Sequence, residues 1–277
     1  MKETTWARAV GFFVFAIAFF FALPKAAGPA LSGDEISCAT NGWCKSDAFD
    51  ETIALALIAP NPKAAALISH IINFAICPLL ALVSTLLPLY NKQEHRDHAF
   101  HDTLMLCAVT LIALGINQTA KIGAKRQRPC FYYGDESITE FDNGNSQEYL
   151  SFFSGDATLG CVTATAGVVL AKIRDRVYVS SVHPWTVRVC FFNKWRASPY
   201  TLTAILLAFI GSFLRILAFV HWTTDVLMGI LCGILCGLVP VVLYTFPSAT
   251  STETQALTTG DLEANNRLPA FSSTASR

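Results

Sequence analysis

Six apolar stretches along the 277-residue sequence are each close to the length that crosses a lipid bilayer, which takes about 20 residues of helix. The stretches lie at residues 6–23, 64–90, 102–120, 157–171, 200–220 and 222–244. The chain is 53% hydrophobic and 14% charged, whereas an average soluble domain carries roughly a quarter charged residues. The sequence therefore predicts an all-α fold, namely a polytopic membrane protein with a six-transmembrane-helix core.

Residues 1–245 are expected to form this membrane domain, with extracytoplasmic loops at 24–63 and 121–156. The first apolar stretch has features of a signal peptide, but we interpret it as an anchor because it is long for such a signal and makes the number of spans even. A shorter apolar run at 52–59 predicts a turn of helix at the membrane surface. The Ser-, Thr- and Ala-rich tail at 246–277 predicts disorder.

Orientation follows from the basic residues in short loops. With both termini in the cytoplasm, the cytoplasmic side receives ten Lys and Arg residues before the tail, and the opposite side receives seven. Four of the seven cluster at 121–128, and without them the bias is ten against three. We therefore expect cytoplasmic termini, a cytoplasmic tail and an aromatic, basic segment at 183–200 on the inner membrane face. The formal net charge of zero leaves no basic surface for nucleic acid.

The nine cysteines are scattered along the chain, so they indicate no metal site, and no cofactor is expected. Cys38 and Cys44 share a polar loop, in which a disulfide and two free thiols are equally open alternatives. Cys232 and Cys236 lie among glycines that recur every four residues, a pattern that predicts close helix packing rather than chemistry.

Arg215, His221 and Asp225 lie at the joint between the last two apolar stretches. Ionisable groups at the edge of a hydrocarbon layer are costly, and they usually face a protein interior or a polar cavity. His221 and Asp225 are four residues apart, which on a helix places the carboxylate beside one imidazole nitrogen and leaves the other nitrogen free. An oriented imidazole of this kind is suited to act as a nucleophile or a base.

Two further polar clusters reach the same membrane face. Lys121 closes the third apolar stretch and is followed by Arg128, while Ser154, Gly155 and Asp156 open the fourth stretch. The end of one span and the start of the next share a membrane face, so both clusters emerge where the joint lies. Taken alone, basic residues at a helix end are also typical of headgroup contacts, and a Ser-Gly-Asp sequence is typical of an ordinary helix start.

Phosphoryl transfer is the chemistry that fits the combined set. Lys121, Arg128 and Arg215 are candidates for binding the nonbridging phosphate oxygens. The backbone amides near Gly155, at a helix start, offer a further anion site. His221 is then free to attack phosphorus, while the carboxylate four residues later holds its tautomer and stabilises the imidazolium form.

The spacing of these residues resembles the three signature motifs of the type 2 phosphatidic acid phosphatase superfamily. The motifs are Lys121 followed seven positions later by Arg128 and Pro129; Ser154 and Gly155; and Arg215, His221 and Asp225. The resemblance implies a six-helix membrane core and metal-independent release of phosphate from a lipid phosphate or diphosphate held among membrane lipids. It also implies that His221 is the nucleophile and Asp225 its partner. The phosphate-binding residues that it implies are Lys121, Arg128, Ser154, Gly155 and Arg215.

Asp156 departs from the family's second motif, in which a histidine follows Ser-Gly and protonates the leaving group. An aspartate has an ordinary pKa of about 3.9, which is far from neutral pH. Three interpretations remain: Asp156 is a protonated acid, which predicts an acidic pH optimum; it is a base for the water that cleaves phosphohistidine; or the chain is a weakened relative with a binding role. We favour a catalytic Asp156, because the other motif residues are intact.

Two other functions use the same charged residues. A phosphotransferase of the same family passes the phosphoryl group to a second lipid hydroxyl instead of water. A transporter-type or non-catalytic membrane protein uses the charges as a relay. We expect a phosphatase whose active site lies at the extracytoplasmic or lumenal face, opposite the termini.

Overall fold

The computed structural model describes residues 2–31, 48–86, 96–133, 150–177 and 199–245, and the regular structure within these ranges is entirely helical. The helices are α1 (Lys2–Leu31), α2 (Ala48–Ala56), α3 (Pro62–Ile71), α4 (Cys77–Leu86), α5 (Arg96–Ala124), α6 (Pro129–Tyr132), α7 (Gly155–Val177), α8 (Pro199–Leu217), α9 (Thr223–Gly237) and α10 (Val239–Thr245). A π-helical turn, Ile72–Ile76, joins α3 to α4. The predicted all-α class is thereby confirmed.

Four segments are long and apolar enough to cross a membrane, and they make the chain an integral membrane protein by length and composition. They are Pro62–Leu86, Ala99–Tyr132, Gly155–Ile173 and Thr223–Leu243, which coincide with the predicted second, third, fourth and sixth stretches. The first and fifth stretches contain shorter apolar helices, Ala9–Lys25 and Leu202–Leu217. Within the described ranges, a helix that is both long and apolar enough to cross a membrane is therefore present for four of the six predicted spans.

Two helix boundaries differ from the sequence prediction for local reasons. α3 begins two residues before the predicted stretch because Asn61 caps it, its side-chain oxygen accepting a hydrogen bond from the Ala64 amide at 3.1 Å. The short helix predicted at 52–59 is α2, which begins four residues earlier. Its first turn contains two acidic residues, which the helix dipole stabilises there.

Some predictions lie outside the described residues. These are the alternatives for Cys38 and Cys44, the inner-face segment as far as residue 198, and the disordered tail at 246–277. Parts of both predicted extracytoplasmic loops also fall there.

α7 is the central helix of the bundle. It contacts α4, α5, α8 and α9, and 78% of its most apolar part is buried, against 33% for Pro62–Leu86. Its sequence is rich in Ala, Gly, Thr and Val, which are small enough to let neighbouring helices approach closely. The amino-terminal end of α7 is therefore surrounded by the helices that carry the candidate residues.

The glycine row of α9 faces α7. A Cβ atom at Gly233 would lie 2.7 Å from both the Thr158 carbonyl oxygen and Cys161 Cβ. A Cβ atom at Gly229 or at Gly237 would lie 2.6 Å from the nearest atom of α7 or of the residue before it. Backbone atoms have little room to move, so α9 lies this close to α7 only because these three positions have no side chains. The close helix packing predicted for this segment is confirmed.

Gly233→Ala is expected to destabilise the fold, because the added methyl group meets the backbone of α7. Overpacking of this kind costs about 1–3 kcal/mol, so the variant should unfold at a lower temperature in detergent. Gly11→Ala is the matched control, since a Cβ atom there has nothing within 4 Å, and its unfolding temperature should be unchanged or slightly higher. Equal unfolding temperatures for the two variants would contradict the packing of α9 on α7.

Candidate active site

The carboxyl-terminal end of α5 carries the basic cluster into the protein. After α5 ends, Lys125 adopts a left-handed backbone conformation with a φ of 43°, and the chain turns towards Arg128 at the start of α6. Lys121 and Arg128 are 8% and 3% exposed, so both cations lie inside the protein. Side chains that extend to lipid headgroups are more exposed than these two, so the headgroup-contact alternative does not fit Lys121 and Arg128.

A sharp turn joins α8 to α9. Phe219 has a φ of 60°, a region that non-glycine residues occupy at a cost of about 1–3 kcal/mol. Packing offsets this cost, since its ring stacks on Tyr133 with centroids 5.5 Å apart and its carbonyl oxygen accepts a hydrogen bond from the Cys130 amide at 3.1 Å. The turn leaves Arg215 in the last turn of α8 and His221 just before α9.

The start of α7 packs closely against α5 and α9. The Ser154 amide donates to the Asp225 carbonyl oxygen at 3.0 Å, and the Ser154 hydroxyl accepts from the amide three residues later at 3.4 Å. A Cβ atom at Gly155 would lie 3.2 Å from Asn117 Oδ1 and 3.5 Å from Lys121 Nζ. Glycine at this position therefore lets the helix start approach the lysine ammonium group closely.

A cavity of about 380 Å³ lies where these elements meet. Six of the eight predicted site residues line it: Lys121, Arg128, Gly155, Asp156, Arg215 and His221. The other two, Ser154 and Asp225, are fully buried behind its wall. His70, Phe74 and Asn117 also line the cavity. Among the described residues, no group of three or more His, Cys, Asp or Glu side chains is arranged to hold a metal ion.

His221 is only 2% exposed at the cavity wall. Burial lowers the pKa of its imidazole well below the ordinary value, and the positive charges of Arg128, Arg215 and Lys121 lower that pKa further. The ring is therefore neutral near pH 7. A neutral imidazole retains the lone pair that a nucleophile requires.

The Asp225 carboxylate lies beside one imidazole nitrogen of His221, as expected, but it forms no hydrogen bond that would hold the tautomer of the ring. His221 Nδ1 lies 3.9 Å from Asp225 Oδ2, within reach of an ion pair but beyond a hydrogen bond, and it has no hydrogen-bond partner among the described residues. The four-residue helical spacing does not apply, because α9 begins only at Thr223. Oδ2 accepts instead from the Ser151 hydroxyl and from the Trp222 amide, the latter at 3.2 Å.

Arg126 binds the other oxygen of Asp225, a role that the motifs do not indicate. Its Nη1 donates to Asp225 Oδ1 at 2.7 Å, and its Nη2 donates to Asp50 Oδ2 at 2.7 Å. Asp50 also accepts from the Thr224 amide at 3.0 Å and from the Thr224 hydroxyl at 2.6 Å. We refer to Asp50, Arg126, Thr224 and Asp225 as the Arg126 network. Both carboxylates pair with the buried guanidinium, and a buried charge requires such partners.

Asp156 is paired with a cation and lies near a histidine. Its Oδ2 is 2.8 Å from Arg215 Nη1, and its Oδ1 is 3.6 Å from His70 Nδ1. His70 belongs to α3 and to none of the motifs, and its only signal in the sequence is an ionisable group inside an apolar stretch.

Asn117 is a further cavity residue that the motifs omit. It lies one turn before Lys121 on α5, and its side-chain amide donates to the Phe153 carbonyl oxygen at 2.6 Å.

Comparison with known proteins gives one family match. The sequence model of the PAP2 superfamily matches residues 102–249, which is more than half of the chain. The matched range includes all eight predicted site residues and Arg126, whereas Asp50 and His70 precede it. No curated protein and no solved structure matches the chain.

Arg126→Leu is expected to destabilise the protein strongly, because it leaves the carboxylates of Asp50 and Asp225 buried without their cation. Removing one partner from a buried ion pair costs about 3–5 kcal/mol. The unfolding temperature in detergent should therefore fall, whereas Lys63→Leu, a change at an exposed lysine in the first turn of α3, should leave it nearly unchanged. Equal stability of the two variants would contradict the structural role of the network.

Proposed function

The chain belongs to the PAP2 superfamily, whose members are generally phosphatases, and from that premise we propose that it hydrolyses a lipid phosphate or diphosphate ester. The substrate is phosphatidic acid-like or an isoprenyl diphosphate, and the reaction passes through a phosphohistidine at His221. The observation that carries this proposal is the buried imidazole of His221 on the wall of a cavity that Lys121, Arg128 and Arg215 also line.

Three cations around one cavity favour a multiply charged phosphate group. Lys121, Arg128 and Arg215 supply donors for the nonbridging oxygens, and their charges stabilise the negative charge of the phosphoryl group during transfer. The amides at the start of α7 add partial positive charge, and Gly155 leaves room for close approach. When the substrate binds, Arg215 exchanges its contact with Asp156 for one with phosphate.

The reaction consists of two displacements at phosphorus. The Nε2 lone pair of His221 forms a bond to phosphorus, while the bond from phosphorus to the leaving oxygen breaks and that oxygen takes up a proton. A water molecule then loses a proton as its oxygen bonds to phosphorus, the P–N bond breaks, and inorganic phosphate leaves. Asp225, 3.9 Å from Nδ1, stabilises the positive ring of the intermediate.

The cavity wall favours an amphipathic substrate. Its apolar lining comes from Ala66, Leu67, Phe74 and Leu114. These side chains belong to segments that are apolar enough to cross the membrane, so an alkyl chain reaches them from the lipid phase while its phosphate meets the cations. The basic residues of the short loops favour cytoplasmic termini, and with that orientation we propose that the cavity opens at the outer or lumenal surface.

A phosphate-release screen tests the proposed function. Phosphatidic acid, lysophosphatidic acid, sphingosine phosphate and isoprenyl diphosphates are each presented in detergent micelles to the purified full-length protein. At least one should release inorganic phosphate, and His221→Ala should lower that rate by at least about 10³-fold, because the nucleophile is lost. Undiminished phosphate release by His221→Ala would contradict the assignment.

The pH dependence of kcat/KM tests the electrostatic setting of His221. Because the pKa of this imidazole is lowered, the ring stays neutral in mildly acidic solution, and the acidic limb of the profile should lie below the ordinary histidine value of about 6.5. Lys121→Met removes one of the cations that lower the pKa of His221, so the acidic limb should move to higher pH. Ionisation of the substrate is the same for both proteins and does not contribute to this shift. An acidic limb of the wild-type profile above the ordinary histidine pKa would contradict the lowered pKa of His221. A limb at the same pH in Lys121→Met would contradict it as well.

A further inference from the structure

His70 places a second imidazole in the cavity, from a helix that the motifs do not include. It lies on α3 and lines the cavity together with His221 and the three cations. Its Nδ1 is 3.6 Å from Asp156 Oδ1. The side chain is 56% exposed, so the ring is open to a molecule in the cavity.

The local helix geometry holds this ring in place. His70 stacks on Phe74 with ring centroids 4.3 Å apart and an interplanar angle of 23°. The pair spans the start of the π-helical turn Ile72–Ile76, and such turns occur frequently at functional sites. Stacking on the ring face and a carboxylate near the ring edge restrict the orientations that His70 adopts.

Asp156 by itself is poorly suited to protonate a leaving group. Its carboxylate lies 2.8 Å from Arg215 Nη1, and a guanidinium at that distance stabilises the ionised form, which has no proton to donate. An imidazole has an ordinary pKa of about 6.5, which suits both donation and uptake of a proton near neutral pH. The charged groups that face His70 are Asp156 of α7 and Arg215 of α8.

Building on the proposed phosphatase function, we propose that His70 is the catalytic residue that protonates the leaving oxygen and that Asp156 is its positioning residue. As the bond from phosphorus to the leaving oxygen breaks, the proton on His70 Nε2 passes to that oxygen, and His70 becomes neutral. In the second displacement, His70 takes a proton from the attacking water and returns to its starting state. An imidazole from α3 thus takes the place of the histidine that the second motif lacks at position 156.

The test compares two leaving groups on the full-length protein in detergent. Phosphatidic acid releases an alkoxide, which needs a proton, whereas p-nitrophenyl phosphate releases a stable phenolate, which needs little assistance. His70→Ala should lower kcat for phosphatidic acid about 10²–10⁴-fold but kcat for p-nitrophenyl phosphate less than about tenfold. The retained aryl phosphatase activity shows that the variant is folded.

His101→Ala is the matched control, because it removes another histidine that lies beside a carboxylate. His101 Nδ1 is 3.7 Å from Asp102 Oδ1, near the opposite end of α5 from the cavity. Both rates should be unchanged in this variant.

A double-mutant cycle tests Asp156 as the positioning residue. Asp156→Ala should lower the ratio of the alkyl rate to the aryl rate, as His70→Ala does, and it should not lower that ratio further in the His70→Ala background. A merely structural role would lower both rates together, independently of His70, and would overturn the assignment of Asp156.

The outcomes separate this inference from the proposed function. If wild-type protein is active and His221→Ala is not, unchanged hydrolysis of phosphatidic acid by His70→Ala overturns the role of His70 alone. Equal losses of kcat on phosphatidic acid and p-nitrophenyl phosphate in His70→Ala also overturn the role of His70. A wild-type protein that releases phosphate from neither of these substrates and from none of the screened lipid phosphates overturns the proposed function, and this inference with it.

Discussion

The guanidinium of Arg126 and the two carboxylates around it form the interaction on which the candidate active site depends. A cation or a carboxylate is costly to bury alone in an apolar helix bundle, so Asp50, Arg126 and Asp225 are stable there only together. Their pairing joins α2, the segment after α5 and the start of α9. It thereby holds the chain next to Arg128 and His221, both of which face the cavity.

The cavity itself has a different balance of charge. Lys121, Arg128 and Arg215 line it, and the carboxylate on its wall is that of Asp156. A surplus of positive charge in a buried space is unfavourable until an anion enters. Burial and, after it, repulsion from these cations keep His221 neutral, and the same cations favour the entry of an anion such as the phosphate that we propose. The paired charges of the Arg126 network stabilise the framework, whereas the unbalanced cations of the cavity are the groups that we propose to bind the substrate.

The helical class and most of the cavity are predictable from the sequence, because polar residues at the ends of successive membrane helices meet at one face. The Arg126 network is not, since Asp50 and Arg126 are 76 positions apart and no pattern links them. The expected contact between His221 and Asp225 is present, but it is longer than a hydrogen bond, because the histidine precedes the helix whose periodicity predicted the contact. Assigning His70 requires knowing which face of α3 meets α7, and that depends on tertiary packing.

In the proposed mechanism, His221 carries the phosphoryl group during turnover. The most direct measurement is to mix the protein briefly with its lipid phosphate, stop the reaction in alkali, in which phosphohistidine is stable, and locate bound phosphate by peptide mass spectrometry. We expect phosphate on His221 and none on the corresponding peptide of His221→Ala. Phosphate on another residue, or rapid turnover with no phosphate bound to the protein at any time, would contradict this mechanism.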